Sequence, residues 1–175
     1  MPPTVTVATE DGDPVDRTSA YTFTYTVEKD GNTTTYDTLP TFTDAGTYTV
    51  TISASSDVYA NPADQTVTVT VVKRPLTLTS ETLTVPYDAT EHSVAVLADA
   101  TGYAIPAHAV DAASLAMLAG QVNAATLAGI YPVQIDTASV TVLSGATDVT
   151  ANYEIATVAG GLTITPTTVT AAQLG

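Results

Sequence analysis

Three stretches of the chain alternate apolar and polar residues with a period of two. In the first, Tyr21, Phe23, Tyr25 and Val27 fall on one side and Thr22, Thr24, Thr26 and Glu28 on the other. Tyr48, Val50 and Ile52 alternate with Thr47, Thr49, Thr51 and Ser53, and Val67, Val69 and Val71 alternate with Thr66, Thr68 and Thr70. Successive side chains of a strand point to opposite faces, so the pattern predicts strands with one buried and one wet face. Asp30-Gly31, within the stretch Lys29–Asn32, reads as a hairpin turn joining strand 21–29 to strand 33–38. Thr4–Ala8 adds a shorter strand, followed by the acidic loop Glu10–Asp16. Strands this short and closely spaced, with polar turns between, describe a small β-sandwich.

Lys73-Arg74-Pro75 reads as a hinge, dividing the chain into a module over 1–73 and a second over 74–166, with 167–175 as a linker or the start of a further module. In the second module, Leu76–Thr79, Thr82–Val85, Ser93–Leu97, Ile130–Ile135, Ser139–Leu143, Tyr153–Ala156 and Leu162–Thr165 read as strands. Residues 107–119 break the pattern. Val110, Leu115, Met117 and Leu118 recur at roughly helical spacing in an alanine-dense segment, with Asp111 as a cap and Gly120 as a stop, which predicts a short helix. A sheet carrying one helix is an α+β layer of β-grasp-like arrangement. The expected fold class is therefore mostly β, a small sandwich followed by a β-grasp-like α+β module with one short helix.

One decamer recurs. Thr43–Ile52 and Thr126–Ile135 both fit Thr-x-Ala-Gly-x-Tyr-x-Val-x-Ile. The pattern describes a turn at glycine entering a strand whose Tyr, Val and Ile point inward.

Composition narrows the function classes. The 175 residues carry 4 Lys+Arg against 18 Asp+Glu, a formal charge of −14, with 45% apolar residues and no cysteine. That apolar content is too high for a disordered chain. Four cations cannot neutralise a phosphate backbone, which excludes nucleic acid as a partner. No apolar run reaches the roughly 18–20 residues of a membrane span, so no membrane insertion is expected. Without cysteine there is no disulfide, thiolate metal site or thiol nucleophile. Threonine is the commonest residue, at 36, and with valine it favours pleated surfaces over helices. A hydroxyl-rich, acidic, weakly charged composition is common among extracellular bacterial modules. Residues 1–20 show no basic region followed by an apolar one, hence no signal peptide, and the chain reads as a piece of something longer.

These residues resemble the repeat region of large bacterial cell-surface adhesins. Lys73-Arg74-Pro75-Leu76-Thr77-Leu78-Thr79, the Tyr87-Asp88-Ala89-Thr90 turn, Asn152-Tyr153-Glu154-Ile155 and Gly161-Leu162-Thr163-Ile164-Thr165-Pro166 are similar to the MBG ("mostly β-grasp") modules of those proteins, which usually have Gly where Ala89 stands. The first half resembles their Ig-like modules, and Asp44-Ala45-Gly46-Thr47-Tyr48 is similar to the tyrosine corner of Ig-like sandwiches, with Val50 where a cysteine would be expected. The resemblance implies a tandem of an Ig-like sandwich and an MBG-type module. It further implies display on the bacterial cell surface and a part in adhesion. It transfers no catalytic or binding residue.

Candidate chemistry is sparse. Glu10, Asp11, Asp13 and Asp16 can offer oxygen ligands to Ca²⁺, but lack EF-hand spacing, and Gly12 and Pro14 equally suit a solvated turn, the preferred reading. His92 and His108 are the only histidines and lie apart, His92 beside Glu91 on the surface and His108 near the predicted helix start. No nucleophile–base frame such as Gly-x-Ser-x-Gly occurs, so an enzyme is not expected. Lys29 continues the inward face of strand 21–27 and can be imagined in an isopeptide link to Asn32 or Asn61, although a lysine at a turn ordinarily reaches water. The threonine ladders invite ice-binding or O-glycosylation, yet threonine is simply the best polar residue for a wet strand face. Tyr36, Tyr59 and Tyr103 can stack on sugar rings or serve as half-buried anchors.

The expected function is a non-catalytic stalk or spacer that projects a distal tip, with neighbouring repeat modules as partners. Direct binding of host glycan or extracellular-matrix protein, or service as the accessory domain of a secreted glycosidase, are the alternatives. No cofactor is expected beyond Ca²⁺ at the acidic loop.

Overall fold

A computed structural model describes residues 2–8, 12–102 and 107–168. The chain divides into two compact units, Met1–Val72 and Lys73–Gly175. Both are built from strands, and the described residues contain no α-helix, only three single-turn 3-10 segments at Thr18–Ala20, Thr137–Ser139 and Thr150–Asn152.

The first unit contains β1 (Thr6–Ala8), β2 (Pro14–Asp16), β3 (Thr22–Lys29), β4 (Asn32–Tyr36), β5 (Gly46–Ser55) and β6 (Gln65–Val71). The last four form an antiparallel sheet in the order β4-β3-β5-β6, while β1 and β2 pair as a separate hairpin. The Asp30-Gly31 turn joins β3 to β4, with both residues at positive φ (51° and 76°), as a two-residue hairpin requires. Register follows the alternation. Val27, Val50 and Val67 lie side by side across β3, β5 and β6, and Thr35, Thr26, Thr51 and Thr66 make a row across all four strands. The core is the apolar face: Tyr25, Val27, Tyr48 and Val50 are buried, and Phe42, in the β4–β5 connection, packs its ring 4.3 Å from that of Tyr48. The acidic loop expected over Glu10–Asp16 is shorter than the sequence implies, because Pro14–Asp16 pairs with β1.

The second unit contains β7 (Arg74–Thr79), β8 (Thr82–Pro86), β9 (His92–Ser93), β10 (Asp99–Thr101), β11 (His108–Val110), β12 (Ala124–Ala125), β13 (Gly129–Val133), β14 (Val142–Ser144), β15 (Thr147–Asp148), β16 (Tyr153–Val158) and β17 (Gly160–Thr165). Two three-stranded sheets, β10-β7-β16 and β13-β17-β8, carry most of it. The chain passes directly from a strand of the first to a strand of the second at Ser80–Glu81 and at Ala159, and these two crossings nest because β16 runs parallel to β7 and β17 parallel to β8. At the crossing the backbones come so close that a Cβ on Gly160 would lie 2.1 Å from the Glu81 carbonyl oxygen and 2.6 Å from that of Ser80. Only glycine fits there. Each sheet covers its own core, Leu76, Leu78, Ile135, Val140, Val142 and Tyr153 on one side and Val94, Val133, Leu162 and Ile164 on the other.

The helix expected over 107–119 is absent. His108–Val110 is a strand paired with β14, and Met117 bridges to Ile135. Its apolar residues serve two cores, Val110 and Leu115 packing with one and Met117 with the other, which a single helical stripe cannot do. What replaces the helix is a reciprocal clasp between two Asp-x-Ala-Ser turns, Asp111–Ser114 and Asp136–Ser139. Ser114 Oγ donates to the Asp111 carbonyl (2.7 Å) and accepts from the Thr141 amide (3.0 Å). Ser139 Oγ donates to the Asp136 carbonyl (2.7 Å) and accepts from the Ala116 amide (2.9 Å). The Asp111 amide donates to Thr141 and the Asp136 amide to Ala116, at 2.9 and 2.8 Å. Asp111 thus caps, as its sequence position implies, but it caps a turn, accepting from the Ala113 amide. The strand expected over Ser93–Leu97 is likewise confined to His92–Ser93, paired with β12.

The clasp predicts equal roles for its two serines. Ser114→Ala and Ser139→Ala each remove a donor and leave a backbone amide without its acceptor, so each lowers unfolding free energy by about 1–3 kcal/mol. The double variant costs less than their sum, because either change alone loosens the shared clasp. Urea unfolding of the three variants checks this. A loss confined to one serine overturns the reciprocity.

Candidate functional site

A cleft of about 440 Å³ lies in the first unit, between the β3–β4 hairpin and the β4–β5 connection. Val27 and Tyr48 form its floor, Lys29, Asn32 and Thr34 one wall, and Phe42 and Asp44 the other, with Tyr36 at the end of β4. Tyr36 is 40% exposed. The Tyr48 hydroxyl donates to the Asp44 carbonyl at 2.7 Å, tying the wall to the floor. The Lys29 amine donates to the Ala45 carbonyl (3.0 Å) and the Tyr48 hydroxyl (3.2 Å) and sits 4.8 Å from the Tyr48 ring centroid. The hydrogen bond to Tyr48 raises the Lys29 pKa, so the cleft holds a fixed cation beside the carboxylates of Asp30 and Asp44. Lysine, amide, hydroxyl and carboxylate groups around an aromatic floor can recognise a polyhydroxylated ligand by hydrogen bonds and ring stacking.

Lys29 is only half-buried, and its amine bonds the Ala45 carbonyl and the Tyr48 hydroxyl while both candidate asparagines are engaged elsewhere. Asn61 Oδ1 accepts from the Ser56 amide (2.9 Å) and Asn32 Nδ2 donates weakly to the Asp30 carbonyl (3.4 Å). Of the three tyrosine candidates, the cleft takes only Tyr36. Tyr59 is half-buried against Tyr21, ring centroids 6.2 Å apart and 22° between planes, and is an anchor of the β5–β6 connection. Tyr103 lies outside the described residues. Lys29, Asn32, Phe42 and Asp44 belong to the cleft although alternation alone did not single them out as a group. Their signal was the pair of turns, Asp30-Gly31 and Asp44-Ala45-Gly46, that sheet pairing brings to the same end.

Of the candidate calcium ligands, Glu10 and Asp11 lie outside the described residues. Asp16 is committed to a turn, its Oδ1 accepting from the Thr18 amide (2.8 Å) and hydroxyl (2.6 Å). No cluster of three or more His, Asp or Glu side chains capable of holding a metal occurs among the described residues. The Asp16 arrangement recurs. Asp148 Oδ1 accepts from the Thr150 amide (2.9 Å) and hydroxyl (2.6 Å), and Asp88 Oδ1 from those of Thr90 (2.9 and 2.7 Å). Asp88 also meets His92 Nε2 at 3.0 Å, which places the His92 ring against Asp88. His108, on β11, shares a hydrogen bond of 2.6 Å with the Tyr153 hydroxyl.

The likeness between the units extends further. Asp16–Tyr21 and Asp148–Tyr153 share the pattern Asp-x-Thr-x-x-Tyr, each enclosing a 3-10 turn, with Tyr21 and Tyr153 at φ −117° and ψ 142° and 144°. Thr18 Oγ1 accepts from the Val5 amide, as Thr150 Oγ1 does from Val142 (2.9 and 2.8 Å). The decamer repeat is geometric too: Tyr131 donates to the Leu127 carbonyl at 2.8 Å, four residues upstream, as Tyr48 does to Asp44. Its glycines serve different ends, Gly46 adopting φ 149° while a Cβ on Gly129 would crowd the Tyr131 ring at 3.1–3.3 Å.

No family model, curated protein or solved structure matches the chain.

Two outcomes follow from the Asp-x-Thr turns. Hydrogen bonds from the threonine hydroxyl and amide hold Asp16, Asp88 and Asp148 below the ordinary carboxylate value of 3.8, Asp88 at about 2. A depressed folded pKa stabilises above the unfolded value and is lost on acidification. Thermal stability is therefore flat with respect to these groups above about pH 5 and falls from near pH 4 toward 2, and Asp88→Asn lessens that fall. An unchanged acid limb in Asp88→Asn rejects the assignment. In the same turn Ala89 is held at φ 65°. Relieving a left-handed alanine gains about 1–2 kcal/mol, partly offset by the freer unfolded chain, so Ala89→Gly stabilises by about 0.5–1 kcal/mol in calorimetry.

Proposed function

We propose that this chain is a non-catalytic pair of extracellular modules from a bacterial surface adhesin, an Ig-like module followed by an MBG-type mostly-β-grasp module, acting as stalk or spacer in support of cell adhesion. The observation that carries it is the recurrence, in both units, of the Asp-x-Thr-x-x-Tyr turn and the tyrosine tied to a carbonyl four residues upstream. Reuse of one set of turn devices in consecutive units is what a chain of repeated modules contains, and such chains have neighbouring modules as their first partners. The connection between β6 and β7 is only Val72 and Lys73, as a spacer assembled from consecutive modules requires. The turns of both units spend polar side chains on the backbone, Asp16 and Asp148 on amides and Tyr48, Tyr131, Ser114 and Ser139 on carbonyls. The strong negative charge supplies solubility outside the cell without lysine-rich surfaces.

The cleft favours a second reading, direct binding of a host glycan or matrix protein, through Tyr36 with Asn32, Lys29 and Asp44 around it. An adhesive module and a spacer differ in one measurable respect. The folded 175-residue chain, screened against immobilised glycans, mucin and matrix proteins with and without Ca²⁺, gives no saturable binding if it is a spacer. Saturable binding that falls at least roughly tenfold in Tyr36→Ala, as loss of a stacking aromatic does, overturns the spacer role and assigns recognition to the cleft.

A further inference from the structure

We infer that β6 is a self-complementary edge through which two copies of this chain pair, antiparallel and two-fold symmetric about Thr68. In the order β4-β3-β5-β6 both outer strands are edges, and among the described residues β6 pairs with β5 alone. An edge strand presents a row of unpaired backbone donors and acceptors, and proteins ordinarily blunt it with lysine, proline, a bulge or inward charge. β6, Gln65–Val71, has none of these. Its register with β5 is unbroken from Gln65 to Val71, so no bulge twists it away. Thr66, Thr68 and Thr70 are exposed, and Val67 is 48% exposed at the end of the Val27–Val50 row, so the apolar face of the sheet runs out at this strand.

The occupant is set by the sequence of the edge itself. Thr66-Val67-Thr68-Val69-Thr70 reads identically in both directions. In a pairing centred on Thr68, Thr66 faces the copy's Thr70, Val67 faces the copy's Val69, and Thr68 faces its own equivalent. Threonine meets threonine on one face and valine meets valine on the other, both favourable cross-strand pairs. The apolar row then continues from Val50 through Val67 into the copy. Flanking charge agrees: the first ionisable positions beyond the segment are Asp64 and Lys73, and the antiparallel register sets Asp64 one position from the copy's Lys73. The opposite edge lacks this. Pairing β4 on itself about Thr34 would bring Asp30 alongside the copy's Asp37, like charges that oppose association. Because the β6 contact uses the same surface on both copies, it closes at two and does not propagate.

Sedimentation equilibrium of the whole chain at physiological salt, over concentrations up to about 1 mM, tests the pairing. The wild type passes from monomer to dimer and no further. Thr68→Lys and Thr68→Glu, at an exposed position, each set like charges face to face on the two-fold axis and weaken dimerisation roughly tenfold or more, while their mixture restores it as a heterodimer. Thr34→Lys, on the other edge, leaves it unchanged. In the wild type, amide exchange across 66–70 slows as concentration rises, a readout that needs no variant. A wild type monomeric throughout, association beyond dimer, Thr68→Lys dimerising as the wild type does, loss of dimer in Thr34→Lys, or exchange at 66–70 independent of concentration each overturns the proposal.

Discussion

The connections between these short strands must satisfy their own backbone, because strands of two to ten residues leave a large share of the chain in turns. This constraint governs the molecule more than any single core contact. The chain meets it with short side chains that bond backbone within a few residues: aspartate to the amide two residues on, serine to the carbonyl three back, tyrosine to the carbonyl four back. Each is local in sequence, so a turn carries its geometry with it. That is why the same Asp-x-Thr-x-x-Tyr segment adopts nearly the same backbone angles in two units whose strand orders differ.

With turns fixed locally, packing can depend on crossings with almost no tolerance. In the second unit the chain changes sheet at Ser80–Glu81 and again at Ala159, one crossing nested in the other. The Gly161 amide donates to the Glu81 carbonyl at 2.9 Å, and Gly160 passes where no side chain fits. Two small cores result in place of one large one, each sealed by its own sheet. A helix spanning 107–119 would have set Val110 and Met117 on the same side, whereas the extended segment sends Val110 and Leu115 to one core and Met117 to the other.

The first unit was largely legible in the sequence because alternation is a local signal and its sheet is built from sequential or near-sequential strands. The hairpin at Asp30-Gly31 and the inward set Tyr25, Val27, Tyr48 and Val50 follow from period two alone. The second unit was less so. Parallel pairing of β7 with β16 joins residues some eighty positions apart, and nothing local encodes it. Alanine density over 107–119 spoke for a helix, and it was outweighed by an Asp-x-Ala-Ser pattern recurring at 111 and 136, a signal present in the sequence but meaningful only once the two turns face each other. Of the site residues, Tyr36 was visible as an aromatic on a polar strand, whereas Lys29 and Asp44 became neighbours only through the Tyr48 hydroxyl. Asp16 looked like a ligand because acidic residues cluster around it, and its neighbour Thr18 had already claimed one of its oxygens.

Net charge and edge chemistry act at different ranges in this chain. A charge of −14 keeps copies apart at long distance, but at physiological salt that field fades beyond about 8 Å. Inside that distance only the local sequence matters, and there the two edges of the first sheet diverge. β4 ends among aspartates and faces the cleft, so repulsion persists to contact. β6 carries no charge over its whole length, and its flanks are of opposite sign. Threonine alternating with valine is neutral toward the fold, since either suits a strand, but it is not neutral toward association. The same economy that lets the chain dispense with lysine on its wet faces removes the guard from one edge, and leaves the choice of neighbour to the symmetry of five residues.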